Sequence, residues 1–348
     1  MTYEELGIRP VINAAATLTA LGGSRLAPPV AAAMAEAGRN LIDLPALQTA
    51  VGRRLADLTG NEAGHVSSGA WAGIVQCVAA CLVGADPERA RALPSLDGLD
   101  RTEVVVFPSQ RKGYEEAIRV TGARITDRVG PRTACVLWFA GARFSEGAPS
   151  LEEVVRDAGV PVIVDAAAQI PPISSLWHYT KELGADAVIF SGGKGLRGPQ
   201  STGMVLGRQE IIAGCRANSS PNYGVGRGMK VGKEELMGLL AAVEWSLARD
   251  EKALLAEYEV VVTRWIDGLA DLPGVAAERG YPSEAGQPHS RAIVHIGPRC
   301  AAVVAALKAH NPSIAVGAID DETIALNPQT LDEGEDAVVL AALRHYLS

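Results

Sequence analysis

The sequence is poor in the features that mark a metal, redox or nucleic-acid-binding protein. Its five cysteines, Cys77, Cys81, Cys135, Cys215 and Cys300, include no C-x-x-C pair, so a zinc site or a dithiol motif has no support in the spacing. Cys77 and Cys81 stand four apart in an apolar helical run and read as core packing. The six histidines show no metal-ligand spacing and read as structural or exposed. Positive charge is also short: 32 Lys and Arg face 40 Asp and Glu, a net charge of −8. A general nucleic-acid binder carries a basic face, so nucleic acid is not an expected partner. No apolar run reaches membrane-spanning length, and Met1–Glu5 carries no basic-then-apolar signal. A reduced cytoplasm fits these absences.

Hydrophobic residues make up 48% of 348, enough for one large domain and a smaller one. The most informative stretch is Val188 to Gln200. An apolar run ends in Ser191-Gly192-Gly193, Lys194 follows at once, and Gly195, Gly198 and Pro199 come next. The run reads as a buried strand, and the glycines let the backbone turn sharply. A lysine delivered into a crowded, dry turn can lose its proton and act as a nucleophile. Upstream, Val160–Val164 reads as a second strand, ending in Asp165. Lys194 lies 29 residues after Asp165, about one strand–helix–strand unit. Adjacent parallel strands would bring both groups to the sheet edge where ligands of open α/β sheets bind. A surface lysine and a helix-capping aspartate produce the same local patterns. Together, though, the pair suits pyridoxal 5′-phosphate, with Lys194 in Schiff-base linkage and Asp165 holding the pyridine nitrogen protonated.

A third element, Gly64 to Gly73, reads as strand, then Ser67-Ser68-Gly69-Ala70, then helix. Hydroxyls and free amides at a helix N-terminus make a phosphate site or a plain cap. This turn carries neither G-x-G-x-x-G nor G-x-x-x-x-G-K-[ST], so a dinucleotide or nucleoside triphosphate is disfavoured here. Residues 28–60 read as helices opened by Pro28-Pro29 and closed at Gly60. Strands are expected at 64–67, 103–107, 123–126, 134–139, 161–165, 186–190 and 202–206, with helices between most of them. This predicts an α/β doubly wound sheet of about seven strands covered on both faces. Residues 84–100 read as a loop or short insertion and 282–288 as a loop. Residues 234–270 read as one long amphipathic helical region, and 292–348 as a small α+β domain.

These motifs resemble the fold-type-I pyridoxal-phosphate enzymes, in particular the selenocysteine synthase-like branch, which includes selenium transferases and ammonia-lyases. The resemblance runs from Val11–Thr19 and Leu21–Ser24 through Leu58-Thr59-Gly60, Ser67–Ala70, Asp165–Pro172, Ser191–Lys194 and Gly198-Pro199-Gln200. It continues through Gly226–Glu235 to Asn327–Leu331. It implies a fold-type-I transferase fold: a mostly parallel seven-stranded sheet between helices, with a smaller α+β C-terminal domain. The expected division is an N-terminal arm over 1–24, a cofactor-binding domain over 25–240, and a bridging helix with a small domain over 241–348. Lys194 and Asp165 would be catalytic. Ser67, Ser68, Gly69, Ala168, Gln169, Ser191 and Gly193 would also line the cofactor. Gln110, where the branch often has a ring-stacking histidine, would sit over the ring. Thr17 and Thr19 on the arm, Arg111, Arg227, Lys230 and Asn327 would meet substrate. The implied reaction is a lyase reaction at the α-carbon of an amino acid or amino sugar acid, releasing ammonia and a 2-keto acid from a homo-oligomer. Selenium or sulfur transfer to a seryl group, racemisation or transamination, and non-catalytic cofactor binding are the alternatives.

Overall fold

The computed structural model describes all 348 residues. The chain forms two compact units: Leu26–Ala248, and Met1–Arg25 with Arg249–Ser348. The division falls after Ala248 rather than after residue 240, and the segment expected as a separate arm belongs to the smaller unit. The twelve strands are β1 (Val11–Ala14), β2 (Ala63–Ser67), β3 (Glu103–Val105), β4 (Arg124–Thr126), β5 (Thr133–Phe139), β6 (Val162–Asp165), β7 (Ala187–Ser191), β8 (Gly203–Gly207), β9 (Ala276–Gly280), β10 (Arg291–His295), β11 (Ser313–Ala318) and β12 (Thr323–Leu326).

In the larger unit, seven strands pair in the order β2-β8-β7-β6-β5-β3-β4. All seven are the segments expected from the sequence. Strands β3 to β7 pair in parallel, and β8 runs antiparallel to both β2 and β7. Alternate residues of β5 enter opposite cores: Val136 and Trp138 one, Leu137 and Phe139 the other. Burial on both faces is why β5 reads as an unbroken apolar run rather than an alternating one. The helix Leu44–Thr59 shows its local logic in its caps. Asp43 accepts the Ala46 N–H at its start, and Gly60, at φ 64°, closes its end. A single N-cap of this kind contributes about 1 kcal/mol. The 84–100 stretch contains a short helix, Pro87–Ala92.

The smaller unit has a five-stranded sheet, β1-β11-β12-β10-β9, parallel only between β1 and β11. Helices Glu251–Leu269, Cys300–Ala309 and Glu335–Leu347 accompany it, and Trp265 is fully buried in its core. The expected long helix over 234–270 is two helices, Lys233–Leu247 and Glu251–Leu269. Asp250 breaks the run by accepting the Ala253 N–H as the N-cap of the second helix, a role that competes with continuing the first. No helix is long and apolar enough to cross a membrane.

Candidate active site

Parallel pairing sets β6 beside β7, with Asp165 in register with Ile189. Asp165 is therefore the last residue of its strand, and Lys194 follows three residues after the end of β7. The backbone of Asp165 is tied on both sides. Its carbonyl accepts the Ala140 N–H from beyond β5, and the next amide, Ala166, donates to Ile189 on β7, both at 2.9 Å. Its carboxylate accepts the Ala167 N–H at 3.0 Å.

The lysine loop is closed by backbone bonds. Gly192 donates to Thr202, Gly198 donates back to Gly192, and Arg197 donates to the carbonyl of Lys194. Arg197 adopts φ 53°, an uncommon conformation for a residue with a Cβ, and its carbonyl takes the Ala27 N–H. A Cβ at Gly195 would lie 1.9 Å from the Ile170 carbonyl oxygen, so the lysine loop presses directly on the turn that follows Asp165. Gly193, Gly195 and Gly198 have G-x-G-x-x-G spacing. Strand β8, not a helix, follows them, so the dinucleotide fingerprint is absent.

Burial and charge act on this pair in opposite directions. Burial pushes the Asp165 carboxyl above its ordinary range, against the pull of the Ala167 N–H and the Lys194 charge. Burial pushes the Lys194 amine below its ordinary range, against the pull of Asp165. Desolvation weakens both ions. The result is an amine closer to its neutral, nucleophilic form and a carboxyl that gains from a cationic hydrogen-bond partner.

Strand β2 leads through Ser68 and Gly69 into the helix Ala70–Val83. Gly69 has φ 90°, no side chain caps the helix, and a Cβ at Gly69 would meet nothing within 4 Å. Uncapped N–H groups beside this open space suit a phosphate. On the far side this turn rests on β8, because a Cβ at Gly203 would lie 2.5 Å from the carbonyl carbon of Gly69. An anion cradle, a weakened amine and a buried carboxyl within one unit fit the phosphate, aldehyde and ring nitrogen of pyridoxal phosphate.

Two residues expected to touch the cofactor lie beneath the surface. Ser67 is fully buried and its hydroxyl donates to the Gly69 carbonyl at 2.9 Å; it braces the turn from below. Gln110 is also fully buried, with both ends of its amide bonded to the Phe139 backbone. Its side chain has no surface to offer a ring. Ser68, Ala168 and Ser191 are half-buried, while Gln169 and Gly193 are buried. Arg111 pairs with Glu115 at 3.3 Å. Arg227 lies 3.4 Å from the Ser220 hydroxyl and over the Tyr223 ring, and Lys230 is exposed. In the smaller unit Thr17 is half-buried and Thr19 exposed. There the buried Asn327 amide donates to Glu284 at 3.0 Å and accepts the Gln329 N–H. Glu284 and the Phe139 backbone were not singled out from the sequence. Neither carries a local signal, because each partner lies tens of residues away.

Residues 141–223, which include both Asp165 and Lys194, match the aminotransferase class-V family. A 5′-C-glycyluridine monooxygenase-decarboxylase of a Streptomyces species is 35% identical across 97% of this chain and 90% of its own. The D-glucosaminate-6-phosphate ammonia lyase of Salmonella typhimurium is 31% identical across 98% and 96%. A solved structure of a D-glucosaminate-6-phosphate ammonia-lyase superimposes with a TM-score of 0.84 at 29% identity, covering 99% of this chain and 97% of that one. The chain belongs to the pyridoxal-phosphate-dependent enzymes of fold type I, in the branch these relatives represent. It is an enzyme, and pyridoxal phosphate is its cofactor.

Proposed function

We propose that the chain is a lyase acting at the α-carbon of an amino acid or amino sugar acid, eliminating a β-substituent and releasing ammonia and a 2-keto acid. The observation that carries this reading is the pairing of buried Asp165 with half-buried Lys194 at the ends of adjacent parallel strands. The near full-length likeness to the ammonia lyase supports it. When bound, the cofactor supplies an electron sink for the α-carbon. Asp165 holds a proton at the pyridine nitrogen, where its desolvated carboxylate is best satisfied by a cationic N–H. The Nζ of Lys194, shifted toward neutrality by burial, takes the α-proton. The backbone amides that open the helix Ala70–Val83, together with Ser68 and Ser191, hold the phosphate. Ala168, Gln169 and Gly193 shape the turns around the cofactor, and Thr17, Thr19, Arg111, Arg227, Lys230 and Asn327 are assigned to substrate.

Assays of ammonia and 2-keto acid over a panel of amino acids and amino sugar acids test the reaction. Lys194→Ala should lose turnover and the cofactor's lysine-linked visible band; full turnover in that variant refutes the assignment. A second reading has its own support. The 35% identical relative is named for oxygen-dependent decarboxylation of an amino acid joined to a nucleoside. Oxygen uptake with carbon dioxide release, in place of ammonia and keto acid, would establish it. We also propose a homo-oligomer in a reducing cytoplasm. The five free thiols support the compartment, and a monomer in light scattering would refute the assembly.

A further inference from the structure

The end of β5 is braced by a side chain where a strand is missing. Strand β5 pairs with β3 only as far as Val105–Val136. Beyond that point β3 ends, and the chain turns away through Pro108–Gln110. Residues Leu137–Phe139 continue to pair with β6 on their other edge, with Phe139 in register with Asp165. The β3-side edge of Phe139 would then present a buried N–H and C=O without partners, a costly arrangement in a core. Gln110 supplies both. Its Nε2 donates to the Phe139 carbonyl at 3.1 Å, and its Oε1 accepts the Phe139 N–H at 3.2 Å. A single amide thus satisfies both groups that a neighbouring strand would otherwise pair. Gln110 is itself held by the turn Pro108–Gln110, where its backbone N–H donates to the Phe107 carbonyl at 2.9 Å. The residue after Phe139, Ala140, donates the bond that fixes the Asp165 carbonyl.

We propose that Gln110 is a positioning residue for Asp165: its amide stands in for the absent β3 rung at Phe139, and through Ala140 it fixes the backbone from which the carboxylate is aimed. The inference rests on the reading of Asp165 as the partner of the cofactor's ring nitrogen. It needs no contact between Gln110 and the cofactor.

The test uses the full-length protein with pyridoxal phosphate. Three quantities are read: the cofactor dissociation constant, the pH midpoint of the bound cofactor's visible band, and the thermal midpoint. Gln110→Leu keeps the volume and removes both bonds. It is expected to weaken cofactor binding about tenfold, the scale seen when a partner that orients a ligand-holding group is lost, and to move the band's pH midpoint in the same direction as Asp165→Asn. A lower thermal midpoint with unchanged affinity and unchanged pH midpoint would overturn the proposal and leave Gln110 a plain brace. If Gln110→Leu fails to fold, Gln110→Asn keeps an uncharged amide but shortens the side chain by one methylene, so it reaches the Phe139 backbone less well. It should show a smaller shift of the same sign, and wild-type affinity with a wild-type midpoint would again overturn the proposal. Should Asp165→Asn change neither quantity, the underlying reading of Asp165 fails and this inference fails with it. Should Asp165→Asn change both while the Gln110 variants change neither, only the inference about Gln110 fails.

Discussion

Acid should destabilise this protein through one buried imidazole. His65 lies on β2 and is 2% exposed. Its Nε2 is 3.0 Å from Gln76 Oε1 and 3.2 Å from the Ser219 hydroxyl. The Ser219 hydroxyl already donates to the Cys215 carbonyl, so both contacts are satisfied when Nε2 carries the proton of a neutral ring. Burial lowers the His65 pKa to about 4, helped by the Arg216 charge and opposed by the bond to Gln76. The unfolded chain holds this group near 6.5. Its neutral form is therefore compatible with full stability above pH 6.5. As pH falls from 6.5 toward 4, the unfolded state takes up a proton that the folded state refuses. Integrating over that window gives a loss of about 2 kcal/mol between pH 7 and pH 5, and about 3 kcal/mol by pH 4. The assay is urea denaturation at a series of pH values on the wild type and on His65→Gln, which replaces the imidazole with a non-titrating amide. The wild type should lose about 2 kcal/mol more than the variant between pH 7 and 5, since every other titrating group is common to both. Parallel declines would refute the assignment of a depressed pKa to His65.

Three other perturbations have outcomes the structure sets. Gly203→Ala places a Cβ 2.5 Å from the Gly69 backbone, so it should displace the helix N-terminus and weaken pyridoxal phosphate binding, read by equilibrium titration; wild-type affinity would count against the phosphate cradle. Gly195→Ala drives a Cβ to 1.9 Å from the Ile170 carbonyl; overpacking of this kind costs about 1–3 kcal/mol. The thermal midpoint should fall and the yield of lysine-linked cofactor should fall with it. Trp265→Ala removes a fully buried ring whose indole N–H donates to the Asp336 carbonyl at 3.0 Å. A loss of about 3–5 kcal/mol is expected in denaturant titration, and a loss under 1 kcal/mol would mean that this core closes without it.

Most of the seven strands of the larger sheet were legible because they are short apolar runs bounded by turn residues, and because period and composition act locally; β2, with His65 and Ser67, and β4, Arg124–Thr126, are not apolar runs. The Asp165–Lys194 pair was legible for a related reason. A spacing of one strand–helix–strand unit has few ways to fold, and the right-handed crossover puts both strand ends on one edge. The helix opening at Ala70 could be read from Ser67-Ser68-Gly69, although only the backbone shows that Ser67 faces inward. The break at Asp250 was missed, although it too is local, an N-cap inside an otherwise helical pattern.

What only the tertiary structure decided concerns groups whose partners are distant in the chain. Gln110 looked like a residue over the cofactor because its position suggested it. Its amide instead meets Phe139, 29 residues on, and that follows from where β3 stops pairing with β5, which no local pattern encodes. Residues 1–24 looked like an arm, yet β1 pairs with β11 some three hundred residues later. Asn327 could be singled out by its motif but not its partner Glu284, 43 residues away. Periodicity and turn chemistry are properties of neighbours along the chain, so the sequence by itself determined most strands and brought Asp165 and Lys194 to the ends of adjacent parallel strands. Hydrogen-bond partners and burial are properties of neighbours in space, and those determined that Ser67 and Gln110 spend their side chains on the backbone of Gly69 and Phe139.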